Sequence, residues 1–250
     1  MTDALDRLAE VGGDLFRRVG DVLAVTGIAA DSPVWPLVRR VRGLPADVLD
    51  YGLRLDVDGL QAGATELQGI AERFGELPEQ LGTDVTRAAW EGGGADAFGI
   101  VWEALAAHIG DGTEPATIAG RVRATAGYLE AVAGWAAGFR HELAEAIARV
   151  ATSAEAVTLV TANPANAGSG ANVGSGGSGA NVGGGASIGA EAAAAATRIT
   201  GRVLQPAADA LDAADDLRAC WAASLAGLEY HPPRVPLGPA TIASVTRVNL

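Results

Sequence analysis

The sequence predicts an all-α protein, an elongated helical bundle built on a helix–turn–helix hairpin and carrying a glycine-rich flexible loop. Three observations carry that prediction. Apolar residues recur at steps of three and four over runs much longer than any strand. Alanine, the strongest helix former, supplies much of a 49% hydrophobic content, while aromatic residues make up only 5%. One of those runs, from Thr113 to about Val160, is a rod that no compact sheet protein needs and an elongated bundle does.

The elements follow in order. Leu5, Leu8, Leu15, Val19 and Val22 form a first helical stripe. Pro33, Pro36, Gly43 and Pro45 then mark a hinge with a short helix around Val38, and Arg39, Arg40 and Arg42 form a small basic cluster on a solvated face that pairs with nearby acids. The clearest stripe runs Leu53, Val57, Leu60, Ala64, Leu67, Ala71, Phe74, Leu77, Leu81, Val85 and Ala88, the spacing of a bundle seam. Asp56 or Asp58 suits its cap, and Pro78 predicts a kink. A shorter stripe follows at Phe98, Val101, Leu105 and Ile109.

From Thr113, read as a cap, a second long stripe passes through Ile118, Val122, Leu129, Phe139, Leu143, Val150 and Val157. If continuous to Val160, that helix is roughly 70 Å long. Residues 163–189 are rich in Gly, Ser and Asn, with GSGANVG at 168–174 and again at 177–183. Such a tract buries too little surface to offset its ordering entropy, which predicts a linker. A last helix resumes near Ala190 and is divided at Pro206, and His231–Pro239 reads as polyproline. The segments are therefore 1–52, 53–162, 163–189, 190–230 and a tail at 231–250.

Charge and composition exclude several chemistries. All 18 basic residues are arginine, so a phosphate-loop lysine and Schiff-base chemistry are absent. A net charge of -12 repels phosphate backbones and acidic headgroups, so nucleic acid is not an expected partner and membrane contact is not favoured. Cys220 is the single cysteine, which rules out an internal disulfide and predicts a buried small hydrophobe beside Trp221. No cleaved leader is read at the acidic N-terminus and no run is long enough to span a bilayer. The expected location is the cytoplasm before export, or outside the cell without a cleaved signal peptide.

No catalytic constellation emerges. The glycine spacing at 174–179 matches a dinucleotide fingerprint, but no strand precedes it. Gly185-Ala186-Ser187-Ile188-Gly189 has nucleophile-elbow spacing, again without a strand. His108, His141 and His231 stand in separate segments and do not pair as metal ligands. No catalytic, cofactor-binding or metal residue is assigned, and the chain is read as a non-enzyme.

The informative element is the turn at Trp90-Glu91-Gly92-Gly93-Gly94-Ala95-Asp96-Ala97-Phe98. Glycine there permits positive φ and close approach of two antiparallel helices, and Asp96 complements the dipole of the next helix. Trp90 can fold over the hairpin mouth, and Phe98 and Trp102 extend an aromatic surface along one helical face.

Trp90 and Gly92 between two amphipathic helices resemble the Trp-x-Gly hairpin of the WXG100 family, the small helical substrates of type VII (ESX) secretion. The likeness covers Leu53 to Ile109. It implies a non-enzymatic, secretion-associated interaction protein whose partner is a small protein of the same type or an export ATPase, with Trp90, Gly92, Phe98 and Trp102 at the turn and partner surface. The arginine- and alanine-rich composition suits a GC-rich actinobacterial genome. One departure stands out. The family's Tyr-x-x-x-Asp/Glu export signal is missing, because Tyr51, Tyr128 and Tyr230 are followed four residues on by Leu55, Val132 and Arg234. Two other functions fit the same helices: the delivery head of a toxin-like protein whose effector part is absent, and a membrane-active helical protein.

Overall fold

The computed structural model describes residues 3–87, 91–162 and 182–226, apart from the side chains of 85–87 and 182–188. Every regular element among them is an α-helix, and the fold is an all-α bundle. The helices are α1 (Ala4–Thr26), α2 (Trp35–Val41), α3 (Pro45–Arg54), α4 (Val57–Arg87), α5 (Gly93–Ile109), α6 (Ile118–Ala151), α7 (Ala154–Thr161) and α8 (Val182–Ala226). They form two compact units, Met1–Leu60 with Ala131–Ala219, and Gln61–Glu130 with Cys220–Leu250. Neither unit is contiguous in sequence.

The first unit holds the large core. Asp3 and Asp6 start α1 with a reciprocal capping box, each carboxylate accepting the other's backbone N–H. The predicted stripe then buries Leu5, Leu15, Val19 and Val22, with Phe16 beside them. Across from it lie Val48 and Leu49 of α3, Phe139, Leu143, Ile147 and Val150 of α6, Leu159 of α7, and Ile199, Val203 and Leu204 of α8. Small residues set the close approaches. A Cβ on Gly52 would stand 2.9 Å from Leu143 Cδ2 and 3.1 Å from Leu5 Cδ2.

Arg140 binds three elements of this unit together. Its side chain is 8% exposed, its Nε lies 2.7 Å from Asp3 and its Nη2 2.8 Å from Asp6, and its Nη1 donates to the Gly52 carbonyl. The guanidinium beside Asp3 holds that carboxyl below its usual range, against partial burial. Of the arginine cluster near Val38, Arg40 does pair with acids, Asp212 at 2.7 Å and Asp215 at 2.8 Å.

The second unit is built on smaller side chains. Its buried hydrophobics among the described residues are Ala64, Ala71, Ile109, Ala119 and Ala126. Tyr128 meets Trp221 edge to face with ring centroids 6.0 Å apart.

Several expectations need correcting. The helix read from Thr113 to Val160 begins at Ile118, because Thr117 Oγ1, not Thr113, accepts the Gly120 N–H. It also breaks at 152–153, where the Ser153 hydroxyl caps a new helix by accepting from Ala156 N, which turns Val157 out to solvent. Asp56 does cap α4, accepting the Gly59 N–H at 2.9 Å. Leu53, read as the start of that seam, instead belongs to α3. Pro206 does not divide its helix, and α4 likewise runs on through Pro78. Around Pro206 the buried Val203, Leu204, Ala207 and Ala208 hold the helix together despite the lost backbone donor. The last helix starts at Val182, inside the tract read as linker to 189. The repeat at 168–174, the pattern at 174–179 and the tail at 231–250 lie outside the described residues.

Candidate interaction surface on the α4–α5 hairpin

The hairpin follows from its local chemistry. Along α4 the predicted seam is the less exposed side: Ala64 and Ala71 are buried, and Leu60, Leu67, Phe74 and Leu77 are half-buried between exposed neighbours. Gly92 has φ 99°, a conformation that disfavours any residue with a Cβ. Its carbonyl accepts from Ala95 N at 2.8 Å and Asp96 N at 3.1 Å, which starts α5 directly at Gly93. Gly93 and Gly94 are already helical, so a single left-handed glycine makes this start. Asp96 lies in the first turn, where its charge opposes the helix dipole.

The other end of α5 is anchored. Ile109 is buried, and Gly110 at φ 71° ends the helix against Thr117. Asp111 accepts from Thr113 N at 2.8 Å and Thr113 Oγ1 at 2.6 Å, and these two bonds hold its carboxyl below the usual range. A Cβ on Gly75 of α4 would stand 3.0 Å from the Asp111 carbonyl oxygen, so glycine permits the close fit there.

Between these ends α5 is unusual in what it leaves wet. Apart from Asp96, Glu103 and His108, it consists of apolar residues and glycine, yet Ile109 is its one buried residue. A helix apolar on all sides is ordinarily enclosed. Here Phe98 is 36% exposed, Ile100 55%, Val101 39% and Leu105 37%, and Leu81 of α4 is 38% exposed. The predicted stripe of Phe98, Val101 and Leu105 thus keeps more than a third of each side chain exposed, because the buried side chains of this unit are few and mostly small. Residues 57–110 carry nine carboxylates and two arginines, a net charge of -7 within the chain's -12.

Of the four residues singled out at the turn, Gly92 occupies the conformationally demanding position, Phe98 is exposed and Trp102 is half-buried. The Trp102 indole nitrogen lies 3.9 Å from where a Cβ on Gly82 would stand. Trp90 lies outside the described residues. Ile100, the most exposed large residue of α5, falls off the stripe and was not marked by periodicity. Cys220 is exposed, not buried, because its position on α8 follows Asp215, Asp216 and Arg218 on the open side of the helix. Ser187 lies inside α8, a setting unlike a strand-to-helix elbow. Among the described residues no group of three metal-ligating side chains converges, and no helix is long and apolar enough to cross a membrane. No family model, no curated protein and no solved structure matches the chain.

Proposed function

We propose that this chain is a non-enzymatic interaction protein of the type VII (ESX) secretion kind, and that the exposed face of α5, with Leu81 of α4, receives a helical partner. One observation carries the reading: an apolar helix anchored at both ends buries a single residue, Ile109. Exposed apolar surface costs roughly 25 cal/mol per Å², so a second amphipathic hairpin completing the bundle gains what this face now leaves in water. The charge favours a partner other than a second copy, since two faces of net charge -7 repel each other. Basic residues flanking the partner's apolar stripe meet that charge.

The Trp90-Glu91-Gly92 sequence supports the secretion assignment, with the positive φ of Gly92 giving a physical reason for glycine at that position. On this reading the partner carries the export signal, since none of Tyr51, Tyr128 and Tyr230 is followed by an acid four residues on. Two cultures test this: in a host lacking the type VII ATPase the protein disappears from the supernatant, and without its hairpin partner it does the same. Unchanged extracellular levels in the ATPase deletion refute the assignment.

A further inference from the structure

We propose that the cleft formed by α3, α6 and α8 in the first unit binds a small planar aromatic carboxylate. Three aromatic rings line it. Phe139 is buried at its base, Trp135 stacks on Phe139 at 6.3 Å with an interplanar angle of 11°, and Tyr51 lies 6.1 Å from Phe139 at 53°. Ala207 and Ala210 of α8 contribute small side chains opposite, which leaves a cavity of about 270 Å³. The indole N–H of Trp135 donates to the Ala210 carbonyl at 2.8 Å. That bond fixes the ring and removes its only polar hydrogen from the cleft, so the walls offer π faces and aliphatic carbon. The volume falls just below the range for drug-sized ligands, which suits a fused bicyclic ring.

Charge at the rim selects the ligand's polar group. Arg42 and Asp47 both line the cleft. The Asp47 carboxylate already accepts the Leu44 N–H at 2.8 Å to start α3. Arg42 has no carboxylate partner among the described residues, whereas Arg40, two residues earlier, is held by Asp212 and Asp215. Arg42 is also the one described non-glycine residue with positive φ, 57°, an uncommon backbone state at the cleft edge. A guanidinium that lines an aromatic cavity and has no carboxylate partner among the described residues matches a carboxylate joined to a flat ring: the ring stacks, and the two oxygens meet the arginine fork.

The test uses calorimetry on the full chain with three probes, 2-naphthoate, 2-naphthol and octanoate, while the Trp135 indole N–H is followed by NMR. The expected result is a Kd for 2-naphthoate below about 1 mM, with the other two probes weaker by about five-fold or more, and a shifted Trp135 signal. Arg42→Asn keeps a residue that tolerates the left-handed backbone but removes the charge, and it lowers 2-naphthoate to the level of 2-naphthol. Tyr51→Ala, at a half-exposed wall, weakens both naphthalenes. Equal affinity for the two naphthalenes in the wild type overturns the carboxylate assignment. Octanoate binding as tightly as 2-naphthoate overturns the aromatic one. Neither heat nor a Trp135 shift up to about 10 mM overturns the site itself.

Discussion

Replacing Arg140 by methionine tests how the first unit is held together. The guanidinium makes three contacts, to Asp3, Asp6 and the Gly52 carbonyl. Methionine retains an apolar stem in the same space, so no large cavity opens. The Asp3 and Asp6 side chains are 42% and 34% exposed and rehydrate, so each lost ion pair, discounted for solvent screening, is worth about 0.5 kcal/mol. The buried Gly52 carbonyl keeps a long bond from Leu55 N at 3.3 Å, and losing its arginine donor costs about 1 kcal/mol. The total is about 2 kcal/mol, a fall in Tm of about 4–8 °C, read by urea and thermal melts followed by circular dichroism at neutral pH. Asp3→Asn keeps the helix cap but removes the charge, and combined with Arg140→Met it loses less than the two single changes together. The acid dependence has a definite sign. Because Arg140 lowers the Asp3 pKa, the stabilisation is complete above the usual carboxylate range and is lost as pH falls through the folded-state value. In the Arg140→Met variant that part of the acid transition disappears. A stability change under about 0.5 kcal/mol with an unaltered acid limb refutes the assignment.

Three further outcomes follow from the same geometry. Gly52→Ala drives a methyl against the fully buried Leu5 and Leu143 and costs about 1–3 kcal/mol in a urea melt; a neutral result shows that those side chains yield freely. At the hairpin, Gly92→Ala costs about 1–2 kcal/mol through its positive φ, while Gly93→Ala, helical with open space around its Cβ, is neutral or stabilising; similar melts for the two contradict the assigned turn. Ile100→Glu, at a position 55% exposed, changes stability by less than about 0.5 kcal/mol yet abolishes partner binding, and a large loss of stability places Ile100 in the core of the chain instead.

Periodicity made the helices and most of the main core legible, because a buried stripe repeats every three or four residues whatever it packs against. Leu5, Val19, Leu143 and Val150 all lie where the stripes place them. Interruptions by hydroxyl chemistry were harder to see. Thr117 and Ser153 cap helices through single side-chain bonds, and nothing in the apolar spacing announces them. Pro206 misled in the other direction, since burial on both sides of it outweighs one missing backbone bond. At the turn, Gly92 was legible as a glycine requirement and Phe98 as part of a partner surface, but the exposure of Val101 and Leu105 was not, because a stripe does not reveal whether its covering partner lies in the same chain. Arg140 gave no signal of its own. Its role depends on Asp3 and Gly52, far away in sequence and brought together only by the fold.

The proposed role of the exposed α5 face is to receive another helical protein. Size-exclusion chromatography with light scattering on the full chain, alone and co-purified with candidate small Trp-x-Gly proteins, tests it most directly. The expected result is a monomer alone, a one-to-one complex with the cognate partner, and no complex when the chain carries Ile100→Glu. A complex that Ile100→Glu leaves intact, or a stable homodimer across α5, contradicts it.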